Sequence, residues 1–450
     1  MHSVFENSVW LLADKLSKLF PGILVLALLA RHLGPQEFGI WSYAVALTTI
    51  IGTVAILGMD KIAVKELITG QNSQPVTVST VIFMRIMAAL CCMLISILIV
   101  VVTRPQQPVY LYCTFFSSFT ILFQSFDVLD YFYQVKNSIR TVIIPKVSVF
   151  ILFCIIKTIL ILADGSLLAF LWVSVLELLV TYSIILWKYH REYASAAFSK
   201  INFQLAARLL KQCTPLIYSS VLVVLFIKID LLLLDYMSSA TTLGNYVVAA
   251  RISELWYALP TVIATAMLPG LIRKKEENPV AYHESLETWI RLSCWLSIGI
   301  AVFITLSSSF IIGLLYGQAY VSAPRILRIH IWACIPVFIS VVVVQYLFVE
   351  GKYHLFVYGN AAGLLVNVAV NLWLIPAMAG IGAAIATVAA YTVVYGVMVC
   401  LDKSRESWKL TKKMLHPGLL YDDTKKVLRG LKRFLGGVLL FQPSNPQPNE

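Results

Sequence analysis

The chain has 450 residues, of which 59% are hydrophobic and only 13% charged. A soluble protein of this length could not hide that much apolar surface, which excludes a water-soluble globular enzyme and leaves a polytopic membrane protein. The formal charge of +12 does not point to nucleic acid, because the basic residues fall in alternate loops and in the tail, where they report topology.

The N-terminus does not read as a cleavable signal peptide: its apolar run is long and carries Asp14, Lys15 and Lys18. Runs of about 20 apolar residues give twelve predicted spans, near 9–31, 39–59, 77–102, 109–133, 141–162, 166–187, 211–236, 244–270, 288–313, 324–349, 355–375 and 380–401. Loops after the even-numbered spans carry Lys61 and Lys65, Lys136 and Arg140, Lys188, Arg191 and Lys200, Arg273, Lys274 and Lys275, and Lys352. The tail adds ten more Lys and Arg between Lys403 and Arg433. The opposite loops hold Arg31 and Arg104, with Arg325 and Arg328 at a helix mouth. The positive-inside rule therefore places both termini in the cytoplasm.

The expected organisation is an all-α membrane protein with a six-helix bundle over 1–188, a cytoplasmic linker over 189–210, a second six-helix bundle over 211–401 and a basic cytoplasmic tail over 402–450. The two halves look related: residues 38–45 (FGIWSYAV) align without a gap with residues 243–250 (LGNYVVAA). Repeated halves around a charged centre are a transporter's architecture. Within the tail, residues 422–441 have the pattern of a basic amphipathic helix lying on the anionic inner leaflet; a solvated tail is the alternative.

No catalytic constellation emerges. Walker-type, GxGxxG, HExxH and GxSxG motifs are absent, no two histidines stand at i,i+4, and eight scattered cysteines form no CxxC. No cofactor or metal is expected, nor ATP hydrolysis; the energy source would be an ion gradient or the substrate's own gradient. The informative residues are the intramembrane charges, which are costly in hydrocarbon and normally mark a wet interior or a transport path.

The basic candidates for gripping an anion are Arg85, Arg251, Lys228, Lys157 and Lys18, and the acidic candidates for ion coupling are Asp127, Asp130, Glu177 and Asp230. Asp14 with Lys18 and Arg251 with Glu254 have the spacing of helical ion pairs. Asp127 and Asp130, a turn apart, could share a proton or neutralise Lys15 or Lys18. Lys146 and Arg291 read as snorkelling near the inner surface. Asn360, Asn367 and Asn371 share roughly one face of span eleven, suited to interhelical hydrogen bonds or to sugars. Pro21, Pro145, Pro215, Pro260, Pro269 and Pro336 break spans or lie at their ends, where they could serve as bend points.

The stretch ARHLGPQEFGIWSYAVAL (30–47), followed by Gly58-Met59-Asp60, resembles the first hairpin of the polysaccharide-biosynthesis branch of the multidrug/oligosaccharidyl-lipid/polysaccharide exporter superfamily. The stretch from Ile229-Asp230 through residues 243–246 to Leu268-Pro269 resembles that branch's seventh and eighth spans. The resemblance implies a MATE-like fold: two pseudo-symmetric six-helix bundles forming a V around a cationic cavity, with alternating access. It implies a flippase for undecaprenyl-diphosphate-linked oligosaccharide repeat units of O-antigen, capsule or exopolysaccharide, in the bacterial inner membrane, acting beside a polysaccharide polymerase and a chain-length regulator. A drug or cation exporter of the superfamily would favour an acidic, aromatic cavity. A lipid II flippase would carry two further spans, and a polymerase or ligase a large outer loop; neither is found.

Overall fold

The computed structural model describes residues 2–70, 72–193 and 200–415; residues 422–441 lie outside the described residues. All regular structure among the described residues is helical, as expected where no water is present to satisfy an open strand edge. Among the described residues, eleven elements are long and apolar enough to cross a membrane. The first of them, Ser17–Thr69, has 53 residues; at about 1.5 Å per residue it would run about 80 Å, far more than a bilayer core.

It does not run straight. Helix α1 (His2–Ala55) breaks at Gly34, which has φ 73° and ψ 173°, a conformation open to glycine because it lacks a β-carbon. Pro35 then opens the second half with the fixed φ that suits a first helical turn. The bend turns one long element into two spans, so that the eleven hold the twelve predicted. A positive φ at Leu57 and Gly58 then leads into the short α2 (Asp60–Thr69).

The chain continues through α3 (Gln74–Thr103), α4 (Pro108–Phe123), a 3-10 turn over Gln124–Asp127, α5 (Val128–Val135), α6 (Arg140–Leu162) and α7 (Leu167–Tyr193). After residues 194–199, outside the description, come α8 (Phe203–Met237), α9 (Ala240–Leu255), α10 (Ala258–Glu277), α11 (Pro279–Tyr316) and α12 (Ala323–His330). A second 3-10 turn over Ile331–Ala333 leads to α13 (Cys334–Val349), α14 (His354–Met378), α15 (Gly380–Leu401) and α16 (Glu406–Lys413).

Three predicted spans are thus interrupted. Pro260 explains the break between α9 and α10, and Pro336 the one before α13, since each ring excludes the carbonyl a turn earlier from helical bonding. No proline accounts for the 3-10 turn at Gln124–Asp127. Pro145 leaves the carbonyl of Thr141 without its helical donor, and the Lys188 ammonium of α7 donates to that oxygen at 3.4 Å, the kind of repair a span requires.

The chain groups into two compact units. The first comprises Met1–Ile252, Leu306–His330 and Gly363–Ala390; the second comprises Ser253–Thr305, Ile331–Ala362 and Tyr391–Glu450. In the first, Met59, Ile82, Leu129, Tyr133 and Tyr189 belong to one buried cluster that joins α2, α3, α5 and α7. Within the second, α10 packs on α13.

Candidate functional site

The first unit buries a charged layer against that cluster. Arg85, on α3, is 2% exposed. Its Nε donates to the carbonyl of Ile56 at 3.3 Å and its Nη2 to Asp60 Oδ1 at 3.2 Å. Tyr131 donates to the same Asp60 oxygen at 2.6 Å. Arg85 thereby clips the corner between α1 and α2, a partnership that sequence reading missed although Asp60 closes the quoted Gly58-Met59-Asp60. The guanidinium keeps Nη1 buried and without a partner.

Lys146, on α6, lies between both carboxylates of the 3-10 region. Its Nζ donates to Asp127 Oδ1 at 3.0 Å and to Asp130 Oδ2 at 2.5 Å. Tyr182 of α7 donates to Asp127 at 2.7 Å. The expected partners of these carboxylates were Lys15 or Lys18, and Lys146 was expected to snorkel. Instead the lysine side chain is 14% exposed and spends its charge inside. Two carboxylates facing one ammonium leave Asp130 Oδ1 buried without a donor.

Other predicted charges are matched singly. Lys157 meets Glu177 at 2.7 Å between α6 and α7, and Lys18 meets Asp14 at 2.6 Å along α1. Asp230, on α8, is buried; it accepts from the Tyr246 hydroxyl of α9 at 2.5 Å, and that oxygen lies 2.9 Å from the Thr387 hydroxyl of α15. Asn371 donates to Asn367 at 2.7 Å on α14. Lys228 is half-buried and Arg251 exposed. Among the described residues neither has a carboxylate partner; Arg251 is not joined to Glu254.

Within the first unit, the two repeated segments meet. A β-carbon on Gly39 would collide with the carbonyl oxygen of Ala240, and one on Gly244 with that of Pro35. The collision is reciprocal, because Pro35 and Ala240 each stand one turn before the aligned glycine. Beside this crossing, Arg104 Nη2 donates to Asp235 Oδ2 at 2.7 Å and Tyr110 donates to Oδ1 at 2.8 Å. The Asp235 side chain is fully buried. Asn245, next in the repeat, accepts from the backbone N–H groups of Ser322 and Ala323, both at 3.1 Å, and so holds the start of α12. None of these partners was read from the sequence; Asp235 closing a long apolar run, just after Asp230 on the same helix, was the available signal.

Cavities among the described residues of this unit include two edged by polar side chains. One of about 490 Å³ opens beside Arg104, Gln106, Gln107, Tyr110 and Asp235. The other, about 190 Å³, lies among α1, α4 and α7 and is edged by Thr48, Thr49, Thr53, Ser117, Thr120 and Ser174. Thr48, Thr49, Thr53 and Ser174 donate their hydroxyl protons to carbonyls of their own helices. These four oxygens have only lone pairs left to offer. Among the described residues no group of three or more His, Cys, Asp or Glu could hold a metal.

Residues 4–275 match the model of a family described as polysaccharide biosynthesis protein. No curated protein sequence matches the chain. Among solved structures, a multidrug resistance MATE family transporter of the MOP superfamily in an inward-facing conformation aligns with a TM-score of 0.68 at 14% identity, covering 86% of this chain and 94% of its own. The lipid II flippase MurJ, in an inward closed conformation, also aligns at 0.68, with 15% identity over 90% of this chain and 91% of its own. A MOP superfamily transporter from Pyrococcus furiosus aligns at 0.52 with 15% identity, covering 91% of this chain and 94% of its own. The fold is therefore MATE-like.

Proposed function

The chain belongs to the polysaccharide biosynthesis protein family, and from that premise we propose that it is a flippase for lipid-linked oligosaccharide repeat units. The cargo is an undecaprenyl-diphosphate-linked unit of O-antigen, capsule or exopolysaccharide, carried by alternating access from the cytoplasmic to the outer face of a bacterial inner membrane. The lysine-rich loops face the cytoplasm in this reading, and the halves 1–188 and 211–401 are its two bundles.

One observation supports the proposal: Lys228 and Arg251 lie within spans and, among the described residues, have no carboxylate to neutralise them, whereas Lys18, Lys146 and Lys157 are each matched. A diphosphate cannot shed its water into hydrocarbon, since desolvating an isolated charge is prohibitive. Uncommitted cations replace that water, and Arg can engage two phosphate oxygens with its planar fork. Arg85 adds one uncommitted nitrogen, Nη1. Asp127 and Asp130, sharing one ammonium, are the proposed proton site, with Asp230 and Glu177 as further coupling residues. Cationic cargo is less well served, because these four carboxylates are already engaged.

Deleting the gene should leave carrier-linked repeat units on the cytoplasmic side, protected from impermeant periodate in intact spheroplasts. Normal surface polysaccharide in the deletion strain would overturn the assignment.

A further inference from the structure

We propose that α16, with the turn that leads into it, is a docking surface for the anionic headgroups of the leaflet it borders. The surface lies beyond the residues that match the family and stands independently of the cargo. Helix α16 begins at Glu406, just after α15, the last apolar span, ends at Leu401. It therefore sits at the margin of the hydrocarbon.

One face of α16 is fixed to the protein. Asp402, whose side chain is fully buried, accepts from Lys352 Nζ at 2.8 Å, Ser404 Oγ at 2.7 Å and Ser407 Oγ at 2.8 Å. Leu410 is buried, and the Thr411 hydroxyl lies 2.6 Å from that of Tyr395 on α15. Arg291, expected to snorkel, instead donates to the carbonyl of Lys413 at 3.2 Å. The helix is held at both ends.

The other face carries Lys403, Arg405, Trp408, Lys409 and Lys412, all exposed. Lys409 is answered by Glu406 at 2.6 Å, but Lys403, Arg405 and Lys412 have no carboxylate partner among the described residues. Trp408 is 48% exposed, and Lys412 Nζ stands 5.8 Å from its ring centroid. An exposed indole gains little in water, while its apolar ring and N–H suit the headgroup region. Basic residues around it match the negative potential of anionic lipid. A merely solvated face would explain the lysines but not the tryptophan fixed among them.

The test uses the full chain in liposomes that contain brominated phosphatidylglycerol or brominated phosphatidylcholine. The Trp408 signal is taken as the difference between wild type and Trp408→Phe. Quenching should be at least threefold greater with brominated phosphatidylglycerol. The triple variant Lys403→Gln/Arg405→Gln/Lys412→Gln should lose that preference while its thermal midpoint holds. Equal quenching by the two lipids, quenching by neither, or a preference that survives the triple substitution would each overturn the proposal.

Discussion

Arg104 and Asp235 form a 2.7 Å ion pair that ties the end of α3 to the end of α8, with the aspartate sealed from solvent. Tyr110 takes the second carboxylate oxygen, so both lone-pair sites that face the protein are used. The pair lies beside the crossing of the repeated segments, at the proposed outer face. It joins α3 to α8 on that side, and its removal is expected to loosen the crossing.

Breaking a buried pair from one side leaves an uncompensated charge and costs about 3–5 kcal/mol, whereas replacing both partners can be neutral. Arg104→Ala should therefore lower the thermal midpoint in nanodiscs more than Arg104→Ala/Asp235→Ala does. The double variant should also expose cysteines placed along α9 to impermeant maleimide. If the double variant is as unstable as the single one and the reagent does not reach α9, the pair is not what ties this side together.

Gly39→Ala and Gly244→Ala each drive a methyl group into a carbonyl of the other segment. Overpacking of this kind costs about 1–3 kcal/mol. Each variant should lower the midpoint, and oxidative cross-linking of a Pro35→Cys/Ala240→Cys pair should slow in their presence. Unchanged midpoints and cross-linking rates would show that the segments do not meet so closely.

Matched and unmatched cations should separate in their phenotypes. Lys157→Ala strips Glu177 of its partner and should reduce stability. Lys228→Ala and Arg251→Ala remove no ion pair, so they should reduce export about tenfold or more, the loss of a charge-assisted contact, with folding intact. Quantitative complementation set against midpoints gives the answer; full export by the Lys228→Ala/Arg251→Ala double variant would remove both from the cargo path.

The cluster on Asp402 sets a pH expectation. Burial pushes its carboxyl up, but hydrogen bonds from Lys352, Ser404 and Ser407 outweigh that and hold it well below the ordinary carboxylate range. Lys352 is itself raised, since bonds to Asp402 and Tyr346 outweigh its desolvation. A lowered carboxyl contributes stability that is present above its unfolded pKa, about 3.9, and lost as pH falls through the folded value. A raised lysine contributes in full below about 10.4 and loses that as pH rises through its folded value. The midpoint gap between wild type and Asp402→Asn should thus stay level from about pH 5 to 9 and narrow only on further acidification. A gap that closes near neutrality would contradict the geometry.

Much of the fold was legible because hydrocarbon imposes one demand, twenty apolar residues for each crossing, and the sequence meets it twelve times. Local pairing was legible too: Asp14 and Lys18 share a helix face, and spacing alone brings them together. The charged layer was not. Lys146 reaches Asp127 and Asp130 from another helix, across a 3-10 turn with no proline to announce it. Arg104 looked like a stray loop charge because its partner lies 131 positions away. Spacing rules describe one helix; the contacts that matter here join several.

The crossing of Gly39 and Gly244 ties the fortunes of two distant stretches of gene. Each glycine is kept bare by a carbonyl that the other stretch supplies, so neither copy can accept a larger residue by adjusting itself alone. At this spot both positions must stay bare for the crossing to hold.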